Sequence, residues 1–365
     1  MPEYLPRERL QDLLHELQRA GYVCVGPTVR DGAIVYERLK DAADLPAGIT
    51  DEQTPGTYRI CSTGEARQFA WANGPQALKP LLFAPRETLW RASRQPDGTL
   101  SFASATVAQL KLAFIGARAC DLAALALQDQ HFLHSAHSDA PYGSRRRELF
   151  IVAVHCSHPA QTCFCASTGD GPSVTNGFDI ALGELDEGYV AQAGSELGRA
   201  VLSALALAAA SQAQIAAVQR QSEQASRRQT RALPARNLRA ALFANLEHPR
   251  WQQVAERCLS CGNCTSVCPT CFCHSEAESP KLDGTSSEHV REWDSCFSRG
   301  HSYIHGLTIR ADTRTRYRQW LTHKLGSWHE QYGRSGCVGC GRCISWCPVG
   351  IDITEEASAI CSQGQ

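Results

Sequence analysis

The sequence CLSCGNCTSVCP, residues 258–269, and the sequence CVGCGRCISWCP, residues 337–348, each place four cysteines at the same spacing. Both runs follow the pattern Cys-x2-Cys-x2-Cys-x3-Cys-Pro, and residues 270–336 separate them. Repeated short gaps between cysteines indicate metal-bound thiolates. The loops of these runs must close around whatever the sulfurs bind, so this pattern decides the fold of the C-terminal third.

The spacing is that of bacterial proteins that hold two [4Fe–4S] clusters. Two-residue gaps let one tight loop direct three sulfurs to three irons of one cube, while the fourth cysteine reaches the other cluster. We therefore expect two clusters with crossed ligands, Cys258, Cys261, Cys264 and Cys347 for one and Cys337, Cys340, Cys343 and Cys268 for the other. Zinc is the main alternative, but zinc sites generally use two Cys-x2-Cys pairs rather than two runs that each end in Cys-Pro.

Length and composition restrict the class of protein. The chain has 365 residues, of which 43% are hydrophobic and 20% charged, as in a folded protein large enough for two domains. The formal net charge is −1, so no overall basic field favours a nucleic-acid partner. The first residues, MPEYLPRERLQDLLHELQ, carry charges where a signal peptide requires an apolar core. We therefore expect the 18 cysteines to be reduced, in a cytoplasmic protein.

The first half of the chain mixes helical and strand periods. Leucines at helical spacing predict an amphipathic helix over residues 6–20. Short apolar runs bounded by turn residues predict strands at Tyr22–Val25, Ala33–Tyr36, Tyr58–Cys61, Leu112–Ile115 and Leu149–Val154. The helical run Asp121–Leu133 lies between the last two strands. The order strand, helix, strand favours a parallel β-α-β unit.

These patterns predict a division into three segments. Residues 1–218 form an α+β domain that contains the β-α-β unit and ends in a helix near Leu197–Ala217. Residues 219–236 are polar and form the predicted linker. Residues 237–365 form a dicluster ferredoxin-like domain that is predicted to be all-α, with a helical segment from Ser287 to Trp328. The Ala-rich segment 200–218 is interrupted by Ser and Gln, so no membrane insertion is expected.

Four further cysteines are associated with the β-α-β unit. Cys120 opens the helix after the first strand, Cys156 follows the second strand, and Cys163 and Cys165 lie one short loop further, in QTCFCAS. The carboxyl ends of parallel strands meet at one edge of a sheet, where ligands bind. We expect these four thiols to converge there, where they could hold a third [4Fe–4S] cluster. The alternative is a set of buried thiols without a metal.

The remaining candidates have weaker patterns. Cys271, Cys273 and Cys296 exceed the eight dicluster ligands and could bind another metal, shield a cluster, contact a sulfur substrate or simply pack. Packing is the expectation for Cys24, Cys61 and Cys361. Solvated side chains are expected for His131, His134, His137, Arg145–Arg147 and Arg227–Arg228, and no acidic partner completes a metalloprotease motif at His301 and His305. No GxGxxG follows a predicted strand and no Walker A motif occurs, so no flavin or nucleotide site is expected in this chain.

Several stretches together resemble a known family. They are DLPAGITDEQTPGTYRI (44–60), GPQALKPLLFAP (74–85), GARACDLAALALQDQHF (116–132), VHCSHPAQTCFCAS (154–167), GPSVTNGFDIALGEL (171–185), RCLSCGNCTSVCPTCFC (257–273), WDSCFS (293–298) and GCVGCGRCISWCPVGIDITE (336–355). The chain resembles the β subunit of the cytoplasmic sulfhydrogenases, the NADP-linked group of [NiFe] hydrogenases. It is also similar to one of the subunits of the anaerobic sulfite reductases. The resemblance spans nearly the whole chain.

The resemblance implies an iron–sulfur electron-transfer subunit that is not catalytic alone. Its implied partners are a flavin- and NAD(P)-binding γ subunit and the small and large [NiFe] hydrogenase subunits. Two alternatives stay open: a sulfite- or sulfur-reducing subunit whose surplus cysteines bind substrate sulfur, and a non-redox assembly protein stabilised by metal. Zinc in place of iron and acid-labile sulfide would favour the assembly protein.

Overall fold

A computed structural model describes residues 1–105 and 110–362. Its strands are β1 (Glu3–Pro6), β2 (Val23–Arg30), β3 (Ala33–Arg38), β4 (Ile49–Thr54), β5 (Thr57–Ser62), β6 (Arg86–Arg94), β7 (Leu100–Ser104), β8 (Leu112–Ala117), β9 (Leu149–Val154), β10 (Ile180–Glu184), β11 (Gly188–Ala193), β12 (Ala208–Ala209), β13 (His274–Pro280), β14 (Ser286–Trp293), β15 (Tyr303–Ile304) and β16 (Leu307–Thr308). Its α-helices are α1 (Leu10–Arg19), α2 (Lys79–Leu82), α3 (Ala119–Leu133), α4 (Ala140–Arg147), α5 (Cys165–Thr168), α6 (Glu196–Leu205), α7 (Gln212–Arg227), α8 (Leu238–Ala244), α9 (Arg250–Arg257), α10 (Asn263–Ser266), α11 (Thr313–Thr322), α12 (Trp328–Tyr332), α13 (Arg342–Ser345) and α14 (Ile353–Cys361).

A mixed eight-stranded sheet organises the N-terminal half. Its strand order is β12-β1-β11-β10-β9-β8-β2-β3, and the central strands β2, β8, β9 and β10 run parallel. All six residues of β9 are buried, as expected for a strand covered on both faces. The predicted β-α-β unit is confirmed as β8, α3 and β9. The carboxyl ends of β8 and β9 therefore lie side by side.

The predicted N-terminal helix is present and closes one face of this sheet. Residues 10–19 form α1, preceded by a 3-10 turn at Arg7–Arg9. Its four leucines, Leu10, Leu13, Leu14 and Leu17, are buried in the main apolar core with the residues of β8 and β9. Burial of four leucines at about 1.5–3 kcal/mol each stabilises this helix far more than its intrinsic propensity does.

The C-terminal region is not all-α, which corrects the sequence prediction. Residues of the segment read as helical from Ser287 form β14, which pairs with β13 in a hairpin and with β6 of the N-terminal half. The resulting antiparallel sheet has the order β13-β14-β6-β7. The two parts of the chain thus share a sheet, and the fold is mixed α/β throughout.

Both hairpins of this sheet carry a turn signal in the sequence. Asp97-Gly98 joins β6 to β7 and Asp283-Gly284 connects β13 to β14, and both glycines have positive φ, 84° and 68°. Asp-Gly is a strong hairpin signal because the turn requires positive φ. The strands themselves lack an apolar alternation, since six of the seven residues of β13 are exposed. The sequence reading followed apolar periodicity and therefore missed the hairpin.

The predicted helix near Leu197–Ala217 is two helices. Ala206 has φ of 49° and ends α6, and the short strand β12 precedes α7. Helix α7 continues to Arg227, so the first nine residues of the predicted linker 219–236 are helical. Among the residues that the structure describes, no helix has the length and apolar character needed to cross a membrane.

Candidate metal centres

Four predicted ligands line a single cavity, which we call the distal site. Cys258, Cys261 and Cys264 come from the first cysteine run and Cys347 from the second. The loop between them is tight because Ser260 and Gly262 have positive φ, 50° and 77°. Cys261 is exposed, so the distal site reaches the protein surface. The crossed arrangement expected from the spacing therefore matches the placement of these side chains.

Uncharged thiols are strongly favoured at the distal site when no cation is bound. Burial raises the pKa of Cys264 well above its usual value, and the neighbouring Cys258, Cys347 and Cys261 raise it further. Burial likewise raises the pKa of Cys258. Iron removes this penalty because it binds the thiolate form. The donor set fits an iron–sulfur cluster with four cysteine ligands.

Cys268, Cys337, Cys340 and Cys343 form a second group, the central site. Burial raises the pKa of Cys337 to about 12, with further increases from Cys340 and Cys268. Burial also raises the pKa of Cys343 well above its usual value, and its interactions reach Cys264 of the distal site. The two groups are therefore neighbours. The buried Lys324 ammonium donates hydrogen bonds to Cys268 Sγ (3.6 Å) and to Thr270 Oγ1 (2.8 Å).

The second cysteine run packs directly against the sequence QTCFCAS of the N-terminal half. Gly339 and Gly341 have positive φ, and a Cβ atom on Gly339 would lie 2.5 Å from the Cys165 nitrogen. The Phe164 amide donates to the Gly339 carbonyl oxygen (2.8 Å). The Phe164 side chain is 1% exposed and lies in the apolar core of the C-terminal helices. The two halves therefore fit together at this loop with glycines where the backbones meet.

The four N-terminal cysteines converge at one edge of the central sheet, as the β-α-β reading predicts; we call this the sheet-edge site. Burial raises the pKa of Cys163 well above its usual value, and Cys165 and Cys156 raise it further. Burial raises the pKa of Cys165 to about 12, with a further increase from Cys156. Cys120 is buried and interacts with Cys165 and with Cys340 of the central site. The sheet-edge site therefore adjoins the central site.

Arg118 supplies positive charge at the sheet-edge site, a role that the sequence analysis missed. Its side chain is 2% exposed, and its Nη2 donates to the carbonyl oxygens of Phe69 (2.9 Å) and Trp71 (2.7 Å). Its Nε and Nη1 have no hydrogen-bond partner among the described residues. Burial raises the pKa of Cys156, and the Arg118 charge opposes that rise. A buried guanidinium with free donors beside four thiols fits an anionic group such as a thiolate-bound cluster.

The position of Arg118 carries a signal that could have identified it. It lies between the end of β8 and Cys120, the place where an open parallel sheet binds ligands. A basic residue directly before a candidate ligand, at the end of a buried strand, has few solvated positions available.

Three or more His, Cys, Asp or Glu side chains with the geometry of a single metal ion do not occur in residues 1–105 and 110–362. The four thiols of a cubane each bind a different iron, so they stand further apart than the ligands of one ion.

The three surplus cysteines lie together between the distal and central sites. The Cys271 thiol adjoins Cys268 and Lys324, and Cys273 adjoins Cys296 and His301. The His301 ring is held by a contact between Nδ1 and Asp294 Oδ2 (2.8 Å). These residues form a thiol-rich region beside the predicted ligands.

The other cysteines are separate from these groups. Cys24 and Cys361 are buried in apolar cores, and burial raises the pKa of Cys24 to about 11. Cys61 is half-buried in β5. These placements agree with packing roles.

Several side chains expected to be solvated are instead engaged. His131 stacks on Phe272 at a ring distance of 3.5 Å, and burial lowers its pKa to about 4. Arg145 pairs with Glu87, and Arg146 pairs with Asp129 (3.0 Å). His134, His137 and Arg227 are exposed, as expected. The sequence reading missed these pairs because their partners come from distant parts of the chain.

Comparisons with known proteins agree with this geometry. Two family models, each described as a 4Fe-4S dicluster domain, match residues 257–351 and 219–272. The chain is similar to Sulfhydrogenase 2 subunit beta of Pyrococcus furiosus, with 30% identity over 245 residues. This match covers 66% of the chain and 72% of the Pyrococcus protein. No solved structure matches the chain significantly.

The dicluster matches cover both cysteine runs, and the similarity to the Pyrococcus protein extends beyond them into most of the chain. Identity of this extent shows common descent of the whole architecture rather than of one cluster-binding loop. The chain therefore belongs to the family of sulfhydrogenase β subunits, iron–sulfur proteins with a 4Fe-4S dicluster domain.

Proposed function

We propose that the chain is the iron–sulfur electron-transfer subunit of a multi-subunit cytoplasmic [NiFe] hydrogenase or sulfhydrogenase. In this role it relays electrons between the hydrogenase subunits and a flavin- and NAD(P)-binding subunit. A bound [4Fe–4S] cluster accepts and releases one electron at a time. The observation that carries the proposal is the succession of neighbouring thiol groups from the buried sheet edge to the exposed Cys261.

The proposed ligands are the eight dicluster cysteines together with the four at the sheet edge. Contacts between Cys120 and Cys340, and between Cys343 and Cys264, support an order of sheet-edge, central and distal sites. The chain's own residues exclude water from the inner sites and supply positive charge through Arg118 and Lys324. Positive charge beside a cluster favours its reduced, more negative form.

A third cluster is the boldest part of this proposal, and iron analysis tests it. Anaerobically purified protein should contain about twelve iron and twelve sulfide per chain, about four of each per cluster. The double substitution Cys163→Ser and Cys165→Ser should remove about four iron atoms and leave the dicluster spectrum in place, because serine is a poor ligand for cubane iron. The matched control Cys24→Ser and Cys61→Ser should retain all of the iron. About eight iron atoms in the unsubstituted protein would return the four sheet-edge cysteines to a packing role.

The relay is tested in the native complex. A tagged chain, purified anaerobically from its own organism, should co-purify with [NiFe] hydrogenase and flavin subunits, and H2 should bleach the visible absorption of its clusters. The isolated chain should not respond to H2. Co-purification with sulfite reductase subunits, without H2-dependent bleaching, would reject this function.

A sulfur- or sulfite-reducing role is the second candidate. The observation that favours it is the open cavity lined by Cys271 and Cys273. Turnover of sulfite or polysulfide by the isolated chain with an artificial reductant would support this candidate over the relay.

A further inference from the structure

Cys273 and Cys296 are brought side by side by the hairpin of the C-terminal region. Cys273 directly precedes β13, and the Asp294 amide donates to its carbonyl oxygen (2.9 Å), which extends the β13–β14 ladder by one step. Cys296 follows Asp294 by two residues. The two thiols are close enough to share a proton, and both are free. Neither belongs to the twelve proposed cluster ligands.

The surroundings favour a charged thiolate on one member of this pair. The neighbouring Cys296 thiol and the His301 imidazole lower the pKa of Cys273, with a further contribution from Lys324. The Cys273 thiolate in turn raises the pKa of His301 to about 9. Asp294 fixes the ring through its contact with Nδ1. The resting pair is therefore a thiolate on Cys273, a protonated Cys296 and an imidazolium.

A cavity gives small molecules access to Cys273. It has a volume of about 260 Å³ and opens between the first cysteine loop and β14. Its wall includes Cys271, Cys273 and Lys79, whose Nζ lies 3.8 Å from the Trp293 ring centroid. The lysine places positive charge beside the thiols, which suits an approaching molecule that develops negative charge on sulfur.

We propose that Cys273 and Cys296 form a redox-active dithiol that exchanges with low-molecular-weight disulfides entering through this cavity. The Cys273 thiolate attacks one sulfur of the disulfide, forming a mixed disulfide and releasing one thiolate. Cys296 then attacks the Cys273 sulfur, forming the Cys273–Cys296 bond and releasing the second thiol, which carries the proton of Cys296. Two cysteine sulfurs are oxidised and one disulfide is reduced to two thiols. The proposal does not depend on the electron-transfer function.

The test uses the anaerobically purified chain with its iron retained and 2-hydroxyethyl disulfide as the probe. Mass spectrometry without reduction should find a peptide cross-linked through Cys273 and Cys296, at unchanged iron content. The variant Cys296→Ser should accumulate the mixed disulfide on Cys273, because the resolving thiol is missing. The variant Cys273→Ser should form neither product. The control Cys61→Ser should behave as the unsubstituted protein.

The supporting residue His301 provides a second readout. In His301→Gln, alkylation of Cys273 by iodoacetamide at pH 6 should slow about tenfold for each unit by which the thiol pKa rises. Failure of the unsubstituted protein to form the cross-link would overturn the proposal. Loss of about four iron atoms in Cys273→Ser would also overturn it, since Cys273 would then be a cluster ligand.

Discussion

Single buried charges adjust this molecule for an anionic cargo. Lys324 is 4% exposed, and its ammonium contacts a predicted ligand, Cys268, directly. Burial opposes a charge on Lys324, but the neighbouring thiols of Cys268 and Cys271 outweigh it and raise the pKa of the lysine. Arg118 plays the corresponding part at the sheet edge. An unpaired buried charge is costly, so each of these residues indicates a negative partner.

Replacing Lys324 by methionine should make the cluster at the central site harder to reduce. The substitution removes a positive charge and a hydrogen bond to sulfur, both of which favour the reduced form. We expect the midpoint potential to fall by about 60 mV, a tenfold change for a one-electron couple. A redox titration followed by electron paramagnetic resonance measures this shift. The exposed Lys281→Met is the matched control, and an equal shift in both variants would show that Lys324 has no special role.

At the scale of elements, the β13–β14 hairpin joins the two parts of the chain. Strand β14 pairs with β6, and Arg291 of β14 forms ion pairs with Glu87 (2.8 Å) and with Asp139. Arg291 is 4% exposed, so these ion pairs are screened little by solvent. The same hairpin sets the spacing of Cys273 and Cys296. An element that the apolar pattern did not predict therefore positions chemically important residues.

Replacing Arg291 by methionine should weaken this connection. The substitution leaves Glu87 and Asp139 without a buried partner, and breaking such a pair costs about 3–5 kcal/mol. An anaerobic denaturant titration measures the loss in the free energy of unfolding. Arg91→Met is the matched control in the adjacent strand, because the Arg91–Glu288 pair is exposed and should contribute about 0–1 kcal/mol. Equal losses in the two variants would contradict this interpretation.

At the scale of the whole molecule, the two halves are interlocked rather than joined only by a linker. The second cysteine loop packs on the backbone of Phe164 and Cys165, and Asn73 donates to the Cys340 carbonyl oxygen (2.9 Å). Arg231, within the predicted linker, pairs with Asp352 (2.5 Å). Removal of the clusters is therefore not expected to unfold the C-terminal half as a unit.

Iron chelation should open the cysteine loops selectively. Thiolate-rich loops depend on the metal for folding, so residues 258–273 and 337–352 should become sensitive to protease first. The shared sheet should protect residues 86–104 and 274–293 together, because β6 and β14 pair with each other. Anaerobic limited proteolysis with mass spectrometry measures the order of cleavage. Early cleavage within residues 274–293 would indicate that the hairpin depends on the clusters.

Local signals in the sequence were sufficient for much of this protein. Cysteine spacing predicted the dicluster domain, and buried apolar runs flanking a helical run predicted the parallel unit of β8, α3 and β9. Both depend on residues that are close in the chain, where spacing and periodicity limit the geometry. The expected meeting of Cys120, Cys156, Cys163 and Cys165 followed from that topology alone.

Only the tertiary structure decided the features that depend on distant partners. The pairing of β14 with β6, the burial of Arg118 beside Cys156 and the contact between Cys273 and Cys296 have no local signature beyond an Asp-Gly turn. Exposed, charged strands carry little apolar periodicity, and a buried arginine has the same local sequence as a solvated one. Their positions are set by packing between segments far apart in the chain, which spacing and composition do not record.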